Sequence, residues 1–303
     1  MYRIGRIIGN TKIIRLETTE KLFQTKGQIY AKAEYLNPSG SIKDRAAEAI
    51  IARAERLREI DVGGTIVEAT SGNMGISLAM IGASHGYRVK IIMPDTASEE
   101  RAQLIRAYGA DVIFTPGSDG MSGAIKLCEE IQKKLKGSFM PRQFENPECV
   151  LCHYSGTAPE IYRDLYGEVH NFIAGVGTGG TIIGVGKYLK QRSQDVRVIA
   201  VEPSESPTLS GGISKEHGIE GIGANFIPTL YDASVIDEVI TISTKEAYEY
   251  MQLLTTVEGI FSGVSTGAAF AAAVKIAKRE ENRGKTTVFT INDRGDRYLS
   301  RLQ

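Results

Sequence analysis

Thr65-Ile66-Val67-Glu68-Ala69, the segment Gly75 to Ser84, and Arg88-Val89-Lys90-Ile91-Ile92-Met93 closed by Pro94 read together as strand, helix, strand. The outer two are short β-branched runs, and the middle one reads as a helix. This is a βαβ unit, and the pattern extends outward from it. Thr96-Ala97-Ser98-Glu99 matches a capping box, predicting a helix to Tyr108 that stops at Gly109, followed by a strand over Asp111 to Thr115 and a helix over Gly123 to Leu135. The second half repeats the style with a strand over Val169 to Ala174, a helix over Gly180 to Lys190 and a strand over Val196 to Val201. A helix over Ala268 to Arg279 and a last strand over Thr287 to Ile291 complete it. Strands alternating with helices imply an α/β fold with mostly parallel sheets covered on both faces, and the length suits two of them. The less regular stretch Met140 to Ser155 reads as the seam, with the N-terminal strands packing onto the second sheet.

With 303 residues and 42% hydrophobic content the chain can bury a substantial core without staples. Its 36 basic and 36 acidic side chains balance, so there is no electrostatic footprint for nucleic acid or an anionic membrane, and a small-molecule substrate fits better. Met1 to Asn10 lacks an apolar leader, and no run approaches the roughly 18 apolar residues a membrane span needs. A cytoplasmic protein is expected. Cys128, Cys149 and Cys152 are too few for a disulfide framework. Cys149-Val150-Leu151-Cys152 has CxxC spacing beside His153, but no second pair completes a zinc set. They are read as reduced structural thiols, with no metal.

Four turns carry the candidate chemistry. Asn37-Pro38-Ser39-Gly40-Ser41-Ile42-Lys43-Asp44-Arg45 is a turn-rich loop that ends with Lys43 in the first turn of a helix, where the dipole and reduced solvation favour a neutral, nucleophilic amine. Thr70-Ser71-Gly72-Asn73-Met74-Gly75 follows a strand and opens a helix, offering hydroxyls, an amide and backbone N–H groups to an anion such as a carboxylate. Gly175-Val176-Gly177-Thr178-Gly179-Gly180-Thr181 is a phosphate cradle. It also satisfies GxGxxG, with Glu202 at the end of the next strand, so its spacing suits a dinucleotide pyrophosphate and a terminal phosphate monoester about equally. Gly263-Val264-Ser265-Thr266-Gly267-Ala268-Ala269 places a further hydroxyl at a helix start.

In that order, NPSGSIKDR, TSGNMG, GVGTGGT and GVSTGAA resemble the pyridoxal-phosphate enzymes of fold type II, specifically the cysteine synthase and cystathionine β-synthase group. The likeness runs over almost the whole chain, including Gln143-Phe144, Pro159-Glu160-Ile161, Gly221-Ile222-Gly223-Ala224 and Arg297-Tyr298-Leu299-Ser300. It displaces the dinucleotide reading. The resemblance implies a tryptophan synthase β-like architecture, with a smaller mobile domain over residues 40–145 and a larger one over 1–39 plus 146–303. It also implies a homodimer, with pyridoxal 5'-phosphate as cofactor. Lys43 is then the Schiff-base lysine, Gly177, Thr178, Gly179, Gly180 and Thr181 hold the phosphate, and Asn73 bonds the ring hydroxyl. Ser265 faces the pyridine nitrogen, while Thr70, Ser71 and Gln143 grip the carboxylate of an amino-acid substrate.

The chain departs from the pattern at Met74, Ala158 and Asn225, and in the Asn292 to Asp296 segment, where cysteine synthases usually have proline and serines. These departures tilt the expected activity toward a cysteine lyase that releases hydrogen sulfide through an aminoacrylate and adds water or a thiol. Cysteine synthase, working from O-acetylserine and sulfide, is the alternative, and a non-catalytic partner-binding scaffold the alternative of another class. Adding water calls for a carboxylate base, for which Asp232 is the candidate. The ending soon after Ser300 is expected to leave no C-terminal regulatory module, and no N-terminal extension is expected to carry a haem site.

Overall fold

A computed structural model describes residues 4–301. Ten strands form two sheets among these residues. They are β1 (Ile13–Arg15), β2 (Gln28–Lys32), β3 (Thr65–Ala69), β4 (Arg88–Pro94), β5 (Asp111–Thr115), β6 (Ser138–Phe139), β7 (Asn171–Gly175), β8 (Arg197–Pro203), β9 (Glu238–Ile242) and β10 (Thr286–Thr290). One sheet has the order β5-β4-β3-β6 and is parallel throughout. The other has the order β1-β2-β10-β7-β8-β9, with only β1 antiparallel to its neighbour. Thus the N-terminal strands do join the sheet of the second half.

The expected helices stand within a few residues of their predicted bounds, with one correction at the capping box. The helix there runs Glu99–Ala107 with Ser98, not Thr96, at its N-cap, and no side chain caps it. Ser98 Oγ instead donates to the Arg297 carbonyl, so a tertiary partner outcompetes the local cap. The helix Val264–Ala277 is buried against the larger sheet except at Lys275. Gly267 explains how it fits: a Cβ there would lie 2.0 Å from the Ala247 carbonyl oxygen in the helix Thr244–Glu258. The stretch read as the seam contains a short helix, Glu148–Cys152, that continues into a π-helical turn, His153–Thr157.

In a parallel sheet ligands bind beyond the carboxyl ends of the strands. Here the ends of β3, β7 and β10 lead directly into Thr70, Val176 and Ile291. The two candidate glycine turns and the departing segment Asn292 to Asp296 therefore all begin at such ends.

Candidate active site

Lys43 is the first residue of the helix Lys43–Leu57, and the residues on either side of it are anchored. Gly40, at φ +88°, makes the reversal before it, with its N–H on the Asn37 carbonyl at 2.8 Å. Ser41 forms an antiparallel bridge with Asp293, and the Ile42 N–H donates to the Asn292 carbonyl at 2.8 Å. After it, the buried Asp44 carboxylate accepts from the Ser39 N–H at 2.7 Å and the Ser77 hydroxyl at 2.6 Å, and also bonds the Ser39 hydroxyl. Burial lowers the pKa of the Lys43 amine from the ordinary lysine value, outweighing the opposing influence of Cys149, Cys152 and Asp293. A lysine so placed is closer to the neutral, nucleophilic state.

The turn after β7 is closed by close backbone approach. A Cβ on Gly177 would lie 2.4 Å from the Gly221 carbonyl oxygen, and one on Gly180 2.3 Å from that of Cys149. Gly179 has φ +85°. Among the described residues none accepts from the N–H of Gly177, Thr178 or Gly179, while the Gly180 N–H reaches Thr178 Oγ1 at 3.3 Å. Free N–H groups at the start of the helix Gly180–Lys190 suit a phosphate. Behind the turn, Thr181 Oγ1 lies 3.2 Å from His153 Nε2, whose Nδ1 meets Thr157 Oγ1 at 2.8 Å. Burial holds the His153 pKa well below its usual value. Burial thus favours the neutral imidazole, and the cradle offers dipoles and hydroxyls rather than a cation.

The remaining side chains converge through two residues that sequence reasoning did not assign, Asn292 and Asp293. Asn73 Nδ2 donates to the fully buried Asp293 at 2.7 Å, and the Tyr298 hydroxyl donates to the same oxygen at 2.7 Å. Asn73 Oδ1 accepts from Arg297, which also bonds the Ser39 carbonyl. Ser265 Oγ accepts from Asn292 Nδ2 at 3.2 Å. Gly221 packs between the Gly177 turn and Ser265, and a Cβ on it would lie 3.5 Å from Ser265 Oγ. The signal for both missed residues was their place just past the last strand, whose carboxyl end faces the site.

Thr70 is buried and its hydroxyl accepts from the Gly72 N–H at 3.2 Å, while Ser71 is partly exposed. Gln143 is buried, and its N–H reaches Glu68 at 3.3 Å beside the Arg142 N–H at 2.9 Å. Desolvation raises the Glu68 carboxyl to about 7. Glu68 thus ties the Gln143 segment to the strand that carries Thr70.

Asp232 stands apart from this convergence. It follows Tyr231, which packs on Gly179, but its carboxylate caps a short turn through Ser234 and pairs with Lys187 at 2.9 Å. Those bonds, Ser234 first and Lys187 next, lower its pKa. Two of the departures are core residues: Met74 and Ala158 lie in separate apolar clusters. Asn225 adopts a left-handed φ of +64° and accepts from Ser206. Cys149 and Cys128 are buried thiols pushed up to about 12, principally by desolvation.

The chain matches known proteins over almost its whole length. Residues 4–293 match the family described as pyridoxal-phosphate dependent enzyme. The chain belongs to that family. A cysteine synthase of Staphylococcus aureus is 44% identical over 298 residues, covering 98% of this chain and 95% of its own length. The crystal structure of a cysteine synthase from Entamoeba histolytica superposes with a TM-score of 0.94 at 40% identity, over 99% of this chain and 89% of that one. A hydrogen sulfide-producing enzyme of Fusobacterium nucleatum matches with a TM-score of 0.94 at 42% identity, over 99% and 100%. This family member is thus an enzyme that uses pyridoxal phosphate, with the fold type II architecture. The closed glycine cradle and the desolvated lysine are consistent with that cofactor.

Proposed function

We propose that the enzyme carries out β-replacement on an activated serine, making cysteine from O-acetylserine and sulfide. The cofactor, when bound, supplies an electron sink for cleavage at the substrate's β-carbon. The residues divide the remaining work. The turn Gly177 to Thr181 takes the phosphate, Asn73 the ring hydroxyl and Ser265 the ring nitrogen. Thr70, Ser71 and Gln143 hold the substrate carboxylate, and Lys43 Nζ anchors the cofactor and, once displaced, takes the proton from the substrate's α-carbon. We further propose that residues 40–145 move as a body to cover the substrate and exclude water.

The engagement of Asp232 carries the choice of reaction. A carboxylate held by Ser234 and Lys187, with a lowered pKa, is a weak base for activating water. Sulfide needs no such help, since a substantial share of it is already the hydrosulfide anion near neutral pH. The second reading is the lyase favoured from sequence alone, with a thiol rather than water as the incoming group. It draws on the 42% identity to the hydrogen sulfide-producing enzyme of Fusobacterium nucleatum.

Purified enzyme is to be incubated with O-acetylserine plus sulfide, and separately with cysteine alone, with products identified by mass spectrometry. Cysteine in the first mixture and no sulfide release in the second is the expected result. Sulfide with serine or a thioether amino acid from cysteine alone would replace the synthase reading by the lyase.

A further inference from the structure

Asn292 occupies a junction that the proposed site roles leave unexplained. Its carbonyl accepts from the Ile42 N–H at 2.8 Å, immediately before Lys43, and its own N–H donates to Thr266 Oγ1 at 3.0 Å. The backbone is thereby tied both to the lysine loop and to the helix that carries Ser265. Its side chain adds two contacts. The fully buried Thr290 hydroxyl donates to Asn292 Oδ1 at 2.7 Å, and Nδ2 donates to Ser265 Oγ at 3.2 Å.

An amide nitrogen can only donate, and a serine hydroxyl has one proton and two lone pairs. With one lone pair taken by Asn292, the single Ser265 proton is left for another acceptor. We infer that Asn292 is a positioning residue that makes Ser265 a hydrogen-bond donor to the cofactor's ring nitrogen and so keeps that nitrogen unprotonated. The inference rests on the proposed placement of Ser265 at the ring nitrogen. It assigns the ring's protonation state to the relay Thr290, Asn292, Ser265 rather than to the serine alone.

Asn292→Asp tests the relay because it keeps shape and reverses polarity. The Thr290 hydroxyl can still donate to one carboxylate oxygen, but the other now accepts from Ser265, whose lone pairs turn toward the ring nitrogen and favour its protonation. The readout is the 15N NMR shift of ring-labelled pyridoxal phosphate bound to each variant, with thermal unfolding to confirm a native fold. The expected result is a shift toward the protonated nitrogen in Asn292→Asp that is absent when the same change is made on Ser265→Ala. An unmoved signal in Asn292→Asp would overturn the inference. So would a shift that persists without Ser265, which would mark a through-space charge effect. If Ser265→Ala alone leaves the signal of the native enzyme unchanged, the placement of Ser265 itself fails.

Asn292→Ala gives a second arm that keeps both backbone links. Losing one oriented hydrogen bond is expected to weaken cofactor binding by about threefold to tenfold, measured by titrating apo-protein with pyridoxal phosphate. In the Ser265→Ala background it should cause no further loss, and an equal loss there would overturn the relay.

Discussion

Two glycine-rich strand-to-helix turns, Thr70 to Gly75 after β3 and Gly175 to Thr181 after β7, begin alike and are packed in opposite ways. Added methyl groups at Gly177 and Gly180 would strike carbonyl oxygens of Gly221 and Cys149, backbone atoms that cannot rotate aside. An added methyl at Gly72 would meet nothing within 4 Å. Ser71, Gly72 and Asn73 are all partly exposed, and Asn73 is moored by side chains, to Asp293 and Arg297. One turn is thus packed main chain against main chain, whereas the other, beyond the Thr70 N–H bond to the Ile92 carbonyl where it leaves the strand, is held by a few side-chain bonds at its end. A resident cofactor calls for the first design. A substrate that enters and leaves at each turnover calls for the second.

The largest effect should come from breaking the rigid member of the pair. In Gly180→Ala the methyl must push the Cys149 backbone or the cradle itself, an overpacking expected to cost about 1–3 kcal/mol. The same shift spoils the donor geometry, so cofactor affinity should fall by about 100-fold or more, roughly two charge-assisted hydrogen bonds' worth. Thermal unfolding and the cofactor absorbance retained after gel filtration measure the two. Native retention would mean that the cradle is not rigid.

Next in size is an effect of pH carried by Glu68, the carboxylate linking the open turn's strand to Gln143. Its folded pKa of about 7 lies above its ordinary value of 4.5, mainly because burial disfavours the charge. Between those values the folded chain holds more protons than the unfolded one, so this contribution to stability falls as pH rises from about 4.5 to 7. The full difference is about 3 kcal/mol at most. Glu68→Gln should flatten that part of the stability curve, as read by denaturant unfolding at several pH values. An unchanged slope would show that Glu68 is not the group responsible.

The sequence disclosed the parallel units and all four turns because each depends on local chemistry. Thr65–Ala69 and Arg88–Pro94 are apolar runs bounded by turn formers, and the glycines of Gly175 to Thr181 mark close approach wherever they are placed. It did not disclose that β10 lies between β2 and β7. A short apolar run carries no address, and that address alone brings Asn292 and Asp293 to Lys43, Asn73 and Ser265. The buried ion network was equally silent. Arg45 bonds Glu34 at 2.6 Å, and the bonds of Arg45 at 2.7 Å and Lys32 at 2.8 Å to Glu160 join residues more than a hundred positions apart. Such pairs look like surface charges until the chain is folded. The substitutions at Met74 and Ala158 looked like substrate-site changes because they adjoin motifs, yet their side chains fill cores. Adjacency in sequence is a poor guide to facing direction on a helix.

The smallest effect is expected at Gly72, and it is the sharper test of the comparison. Gly72 lies at φ −136° and ψ −152°, extended backbone that alanine adopts without strain. With no atom near the new methyl, folding stability should stay within about 0.5 kcal/mol or rise by up to about 1 kcal/mol, because alanine restricts the unfolded chain more than glycine does. The methyl would instead occupy space over the turn proposed to receive the substrate carboxylate. KM for the amino-acid substrate should then rise about threefold to tenfold, the loss of about one hydrogen bond, while cofactor binding is unchanged. Steady-state kinetics beside a cofactor titration separates the two turns in one variant. A marked drop in melting temperature would show that the Thr70 to Gly75 turn is packed like its counterpart, and a loss of cofactor with KM intact would show that the two turns do not divide their ligands as proposed.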